Sequence, residues 1–216
     1  MFKPFKTRLI ATALFGAALL ASTGAQAVPV SAWELNTVSG IRLGSWSFGD
    51  LFTVGSSDIT VSTLGALDVG LDGFPSTQGI LVGLYRESDQ TLLASTAVSG
   101  SNALVGNYRF ADIPDIQLLA NTAYRVVAVN GGEAYNMTQG TPNSVDPRIS
   151  WNGYGYCAST TLSFCNDQTG TERTWLGNFQ LDNAPGNGTV PEPSSLALLG
   201  LGLLALVARR SKGRAA

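Results

Sequence analysis

The chain has 216 residues, with 13 Lys and Arg against 15 Asp and Glu, and it contains no histidine. The missing imidazole excludes Ser–His–Asp and Cys–His catalysis and His-ligated zinc. Charge is segregated as well: residues 28–190 hold six Arg, no Lys and 14 acidic groups, a net of −8, so nothing there would neutralise a run of nucleic-acid phosphates.

Residues 1–27 have the three parts of a secretory signal: basic Lys3, Lys6 and Arg8, an apolar run at 9–20, and the small-residue site Ala25-Gln26-Ala27. The run is about a dozen residues, short of the roughly 20 that cross a bilayer, so it predicts a cleaved signal handled by the Sec export machinery and signal peptidase. The mature chain then begins near Val28, in an oxidising compartment.

Residues 28–182 are the size of one domain and show no internal repeat. Leu51-Phe52-Thr53-Val54 reads as a strand, followed by Ile59, Val61 and Leu64 in alternation. Ile80, Val82 and Leu84 lie on a run apolar on both faces, as in a central strand, and 92–98 returns as its hairpin partner after the Glu87-Ser88-Asp89-Gln90 turn. Residues 107–110 and 123–129 supply two more strands. Residues 173–181 supply a last one, with Trp175, Gly177, Phe179 and Leu181 in step. About eight strands without a 3.6-residue period predict an all-β, antiparallel β-sandwich, jelly-roll-like in arrangement, flanked by the signal helix and a short C-terminal transmembrane helix. Trp33, Trp46 and Trp175 are expected in its core.

Within this domain four constellations bear on chemistry. Asp68-Val69-Gly70-Leu71-Asp72-Gly73 places two carboxylates four residues apart in a Gly-rich loop, a spacing that lets Asp68 and Asp72 face one hard cation such as calcium, although Asp and Gly are also ordinary turn formers. Asp112 and Asp115, flanking Pro114, read as turn formers. Glu34, Glu87, Glu133 and Glu172 fall in segments that read as turns or strand ends, and nothing selects the facing pair a glycosidase needs, so no enzyme is expected. Residues 130–170 are rich in Gly, Asn, Ser and Pro and read as long loops. There Trp151, Tyr154 and Tyr156 form a carbohydrate-stacking platform, or Trp151 and Tyr156 instead cover the core beneath a disulfide-tied loop. Cys157 and Cys165, the only cysteines, are expected to pair as a disulfide closing a small loop, since the spacing is not C-x-x-C and no histidine completes a metal site.

Residues 183–190 have linker composition. They lead to Pro191-Glu192-Pro193, an apolar stretch at 196–208, and the basic group Arg209, Arg210, Lys212 and Arg214. Thirteen residues of helix span about 20 Å against a hydrocarbon core of about 30 Å, which suits a provisional anchor. The basic cluster places residues 28–193 on the outer side of the membrane. Together, Val190-Pro191-Glu192-Pro193-Ser194, the short apolar stretch and Arg209-Arg210 resemble the PEP-CTERM sorting signal of Gram-negative bacteria. The resemblance implies an exosortase partner that recognises Pro191, Glu192 and Pro193, a temporary anchor at 196–208 stopped by Arg209 and Arg210, and a host that makes exopolysaccharide. From 52 to 129 the chain also resembles the uncharacterised β-sandwich ectodomains that accompany such tails, on Phe52-Thr53-Val54, Ile59-Thr60-Val61, Leu64-Gly65, the Asp-Gly-rich loop, Leu84-Tyr85, Leu92-Leu93-Ala94 and Leu118-Leu119-Ala120-Asn121-Thr122-Ala123-Tyr124. These features predict an exported, non-enzymatic cell-surface or matrix protein that passes through an inner-membrane-anchored intermediate. The alternative is a carbohydrate-binding module, calcium-assisted, using loops 130–170.

Overall fold

The alternating runs between residues 47 and 129 form long antiparallel strands, as their β-branched and aromatic content favours. The structure is a computed structural model, and it describes residues 28–35, 37–74, 76–137, 144–166 and 173–182. The strands are β1 (Val30–Ser31), β2 (Trp33–Glu34), β3 (Ser47–Val54), β4 (Ile59–Leu67), β5 (Ile80–Arg86), β6 (Leu92–Val98), β7 (Ala103–Val105), β8 (Tyr108–Leu118), β9 (Ala123–Val129), β10 (Ser144–Val145), β11 (Ile149–Cys157) and β12 (Gly177–Leu181). Among the described residues there is no helix. The expected signal helix, linker and C-terminal helix lie outside the described residues.

Two five-stranded sheets form, ordered β1-β12-β4-β8-β7 and β11-β3-β9-β5-β6, with a small β10-β2 ribbon beside them. All the pairings are antiparallel. The rings of Phe52 on β3 and Phe179 on β12 meet at 4.7 Å, and Trp33 packs edge-on against Phe179 at 5.5 Å, so the two sheets share one aromatic core. Leu64, Ile80, Val82, Leu84, Leu118 and Val126 fill it from both sheets. The expected jelly-roll order is recognisable in these two sheets. Taking β1, β3, β4, β5, β6, β8, β9 and β12 as eight successive strands, β1-β12-β4-β8 and β3-β9-β5-β6 are the two four-stranded sheets of a jelly roll, and β7 and β11 each add one edge strand.

The β5-β6 hairpin is as expected, closed by Arg86 N–H to Thr91 O at 2.9 Å and by the Asp89 carboxylate accepting from Thr91 N–H at 3.1 Å. Other segments depart from the sequence reading. Asp112, Pro114 and Asp115 lie inside β8 rather than in a turn: the register steps from Val61↔Ile116 to Thr63↔Asp112, so residues 113–115 have no opposite partner. Proline carries no N–H to donate, and a bulge is where a ladder tolerates that. The last strand begins at Gly177, because Trp175 sits at φ 47°, outside strand geometry, while its indole is fully buried. Trp33 is likewise buried, but Trp46 is only half-buried.

Candidate functional site

Asp68 and Asp72 are not brought together. Asp68 is completely buried, and its Oδ2 accepts from Arg109 Nε at 2.7 Å and from Gly73 N–H at 3.0 Å. Arg109 also donates to the carbonyls of Asn102 and Leu71, so the guanidinium ties the 68–73 loop to the start of β8. Leu71, at φ 64°, holds this loop in the left-handed region. Asp72 instead lies exposed at a cavity of about 270 Å³, lined also by Leu43, Phe74 and Glu133. A cation on Asp68 would have to displace the Arg109 guanidinium from the carboxylate it neutralises. Among the described residues no group of three or more metal-ligating side chains occurs.

The expected loop platform is a strand. Trp151, Tyr154 and Tyr156 belong to β11, paired along β3 as Trp151↔Phe52, Tyr154↔Asp50 and Tyr156↔Phe48, so all three share the inner face with those core residues. The reading of 130–170 as long loops fails here because Gly153 and Gly155 look like turn composition, yet Gly155 is the small residue a strand beneath the Cys165 segment requires and Gly153 sits at the register shift against β3. Tyr154 is buried; Trp151 and Tyr156 are half-buried at the sheet edge. Tyr156 meets Trp46 edge-on at 5.9 Å and stacks on Tyr154 at 5.8 Å. One face of the Trp151 ring carries the Arg173 guanidinium at 3.8 Å, and Trp175 lies 5.3 Å away. Covering the core, the second role the sequence allows, describes Trp151 and Tyr156, which pack against it, while Tyr154 lies within it.

Sequence reasoning missed the residue at the centre of this wall. Asp50, on β3, is completely buried, with Oδ1 accepting from Trp151 Nε1 at 3.1 Å and Oδ2 without a hydrogen-bond partner. Burial pushes its carboxyl up to about 7, against the opposing pull of the Trp151 N–H and the charges of Arg125 and Arg173. The phenol of Tyr108 is pushed well above its usual value by burial and by the nearby Asp50 charge; its hydroxyl donates to Trp175 O at 2.8 Å.

On the outer face of the same sheet, Cys157 and Cys165 form the expected disulfide, with Cα atoms 5.3 Å apart. The closed loop becomes a strap. Gly155, Gly49, Val127 and Gly83 stand in one row across β11, β3, β9 and β5, leaving a trough for it. A Cβ on Gly155 would lie 2.8 Å from Cys165 O, and one on Gly83 would lie 2.8 Å from Leu162 Cδ2. Arg125 fastens the strap: it donates to Cys165 O at 3.1 Å, grips Glu87 through Nε and Nη2, and lies 5.0 Å over Phe164. Of the expected free acids, Glu87 is thereby paired. Glu133 is buried and accepts from Ser76 N–H at 2.7 Å, Glu34 is exposed on β2, and Glu172 lies outside the described residues.

The two ends of the domain emerge side by side, since β1 pairs β12 with Val30 opposite Leu181. Asp182, just beyond β12, is fixed three times: its N–H donates to Thr60 O at 3.0 Å, its carboxylate accepts from Ser62 Oγ at 2.8 Å, and its carbonyl accepts from Arg148 Nη1 at 2.6 Å. From this clamp the chain runs on into its tail. Residues 189–212 match the family described as the PEP-CTERM protein-sorting motif. The chain carries a PEP-CTERM sorting motif. It is therefore an exported protein, sorted through exosortase by way of a membrane-anchored intermediate. Pro191, Glu192, Pro193, Arg209 and Arg210, like the signal at 1–27, lie outside the described residues. No curated protein matches the chain.

Proposed function

We infer that this chain is a non-enzymatic cell-surface or matrix protein, its β-domain set down among exopolysaccharide after exosortase processes the PEP-CTERM tail. The observation that carries this reading is the match of residues 189–212 to the sorting motif. Two features support it. The domain's first and last strands are paired neighbours, so a chain held at both ends during export can complete its fold without threading either end through the sheets. Five of its acidic side chains are also spent on structure: Asp68, Glu87, Glu133, Asp146 and Asp182 each hold a named partner. Carbohydrate binding through 130–170 with calcium at Asp68 and Asp72 is the weaker reading, because Arg173 occupies a Trp151 face and Arg109 occupies Asp68.

The test is replacement of Pro191, Glu192 and Pro193 by alanine in a producing host. The expected result is uncut chain held in the inner membrane, while the parent chain reaches the surface or medium with a shortened tail in its intact mass. Release of the triple variant with the same mass as the parent would overturn the reading.

A further inference from the structure

Asp50 stands apart from the buried acids Asp68 and Glu133. It has no arginine or backbone N–H on its carboxylate, only the indole N–H of Trp151; like Asp68 it leaves one oxygen unpartnered, but with no cation bonded to the other. The elements packed around it bring four titratable or charged groups: Tyr154 opposite it on β11, Tyr108 from β8, Arg125 from β9 and Arg173 from the segment before β12. Arg125 is held on the outer face by Glu87 and the strap carbonyl, and Arg173 lies over the Trp151 ring. Neither cation is bonded to the carboxylate. Tyr108, Trp33 and Trp175 are buried, whereas Trp151 and Arg173 are partly exposed, so the way from solvent to Asp50 leads past these last two. The same place holds Trp175 in left-handed backbone with its Nε1 unpartnered, a concentration of strain and unmet polarity of the kind that marks working sites.

We propose that Asp50 is a proton-operated latch: with its proton on, it keeps the wall of Trp151 under the Arg173 cap closed and dry, and with its proton off, its charge draws water in past Trp151 and opens the β11 edge. The proton leaves Asp50 Oδ2 for solvent, and no other reactant is needed. A bare carboxylate behind an indole is too costly to remain dry, so water must reach it or the wall must part. Burial raising the group to about 7 puts the change within the ordinary pH range of an exported protein's surroundings, in a chain that has no histidine to sense it.

The experiment uses the full-length chain purified in mild detergent and follows tryptophan emission from pH 5 to 9. The expected result is one red shift with a midpoint near 7, absent in Asp50→Asn and moved to higher pH in Arg173→Gln, because a positive charge that favours the anion has been removed. Infrared spectroscopy on the unaltered chain needs no variant. It should show a protonated carboxylic-acid C=O band that disappears over the same interval. Flat emission with no such band lost would overturn the latch, and so would a transition that persists unchanged in folded Asp50→Asn.

Discussion

Two aspartates in this domain are equally buried and do opposite things. Asp68 meets a guanidinium at 2.7 Å and a backbone N–H, and pins a loop. Asp50 meets one neutral N–H and is pushed up to about 7. Burial alone therefore does not say whether a carboxylate is a strut or a switch; the complement of donors does. A carboxylate with a bonded cation recovers its desolvation cost, and one without recovers it by keeping a proton.

The sharpest break of this comparison is Arg109→Ala, which strands the Asp68 carboxylate in the interior. We expect a loss of about 3–5 kcal/mol in urea denaturation at neutral pH. Next is pH. Asp50 is higher in the folded chain than its ordinary 3.8, so between about pH 4 and pH 7 the folded state keeps a proton that the unfolded state has released. Its contribution to stability is complete below about 4 and is lost as pH rises through 7, amounting to about 4 kcal/mol in total. Denaturation curves for the unaltered chain and Asp50→Asn should converge toward pH 4 and separate by that amount above 7, with the Asn variant the more stable. Asp68→Asn should instead destabilise at neutral pH, the same substitution with the opposite sign. Smaller is the strap, which fixes Arg125 away from Asp50: replacing both cysteines by serine should cost about 2–3 kcal/mol by the same measurement. Smallest is Gly49→Ala, whose Cβ would lie 2.9 Å from Arg125 Cδ and 3.2 Å from Cys165 O. Here we expect about 1–3 kcal/mol in thermal unfolding with the disulfide intact, and clearly less once it is reduced.

How much of this is legible in the sequence depends on which forces are local. The period-two runs at 51–67, 80–98 and 123–129 carry their own face assignment, and they form strands with the expected hairpin. The disulfide is legible because two cysteines in an oxidising compartment leave one pairing. Asp50 is not. The sequence reading begins a strand only at Leu51, so Asp50 falls outside it. The structure starts β3 at Ser47, because the strap needs a glycine outside and Trp151 needs an acceptor inside. β11 is hidden as well, Gly155 being demanded by a loop that returns from beyond Cys157. Arg109 gives no sign of reaching Asp68, 41 residues away in the chain. In each case a distant segment overrides the local signal.

The pairing of Val30 with Leu181 has a mechanical consequence. Any pull exerted through the tail reaches the domain at the one corner where its first and last described strands meet. The grip of Thr60, Ser62 and Arg148 on Asp182 is then the first thing to bear the load. How firmly the fold hangs from its tether is decided by those few bonds, and not by the aromatic interior.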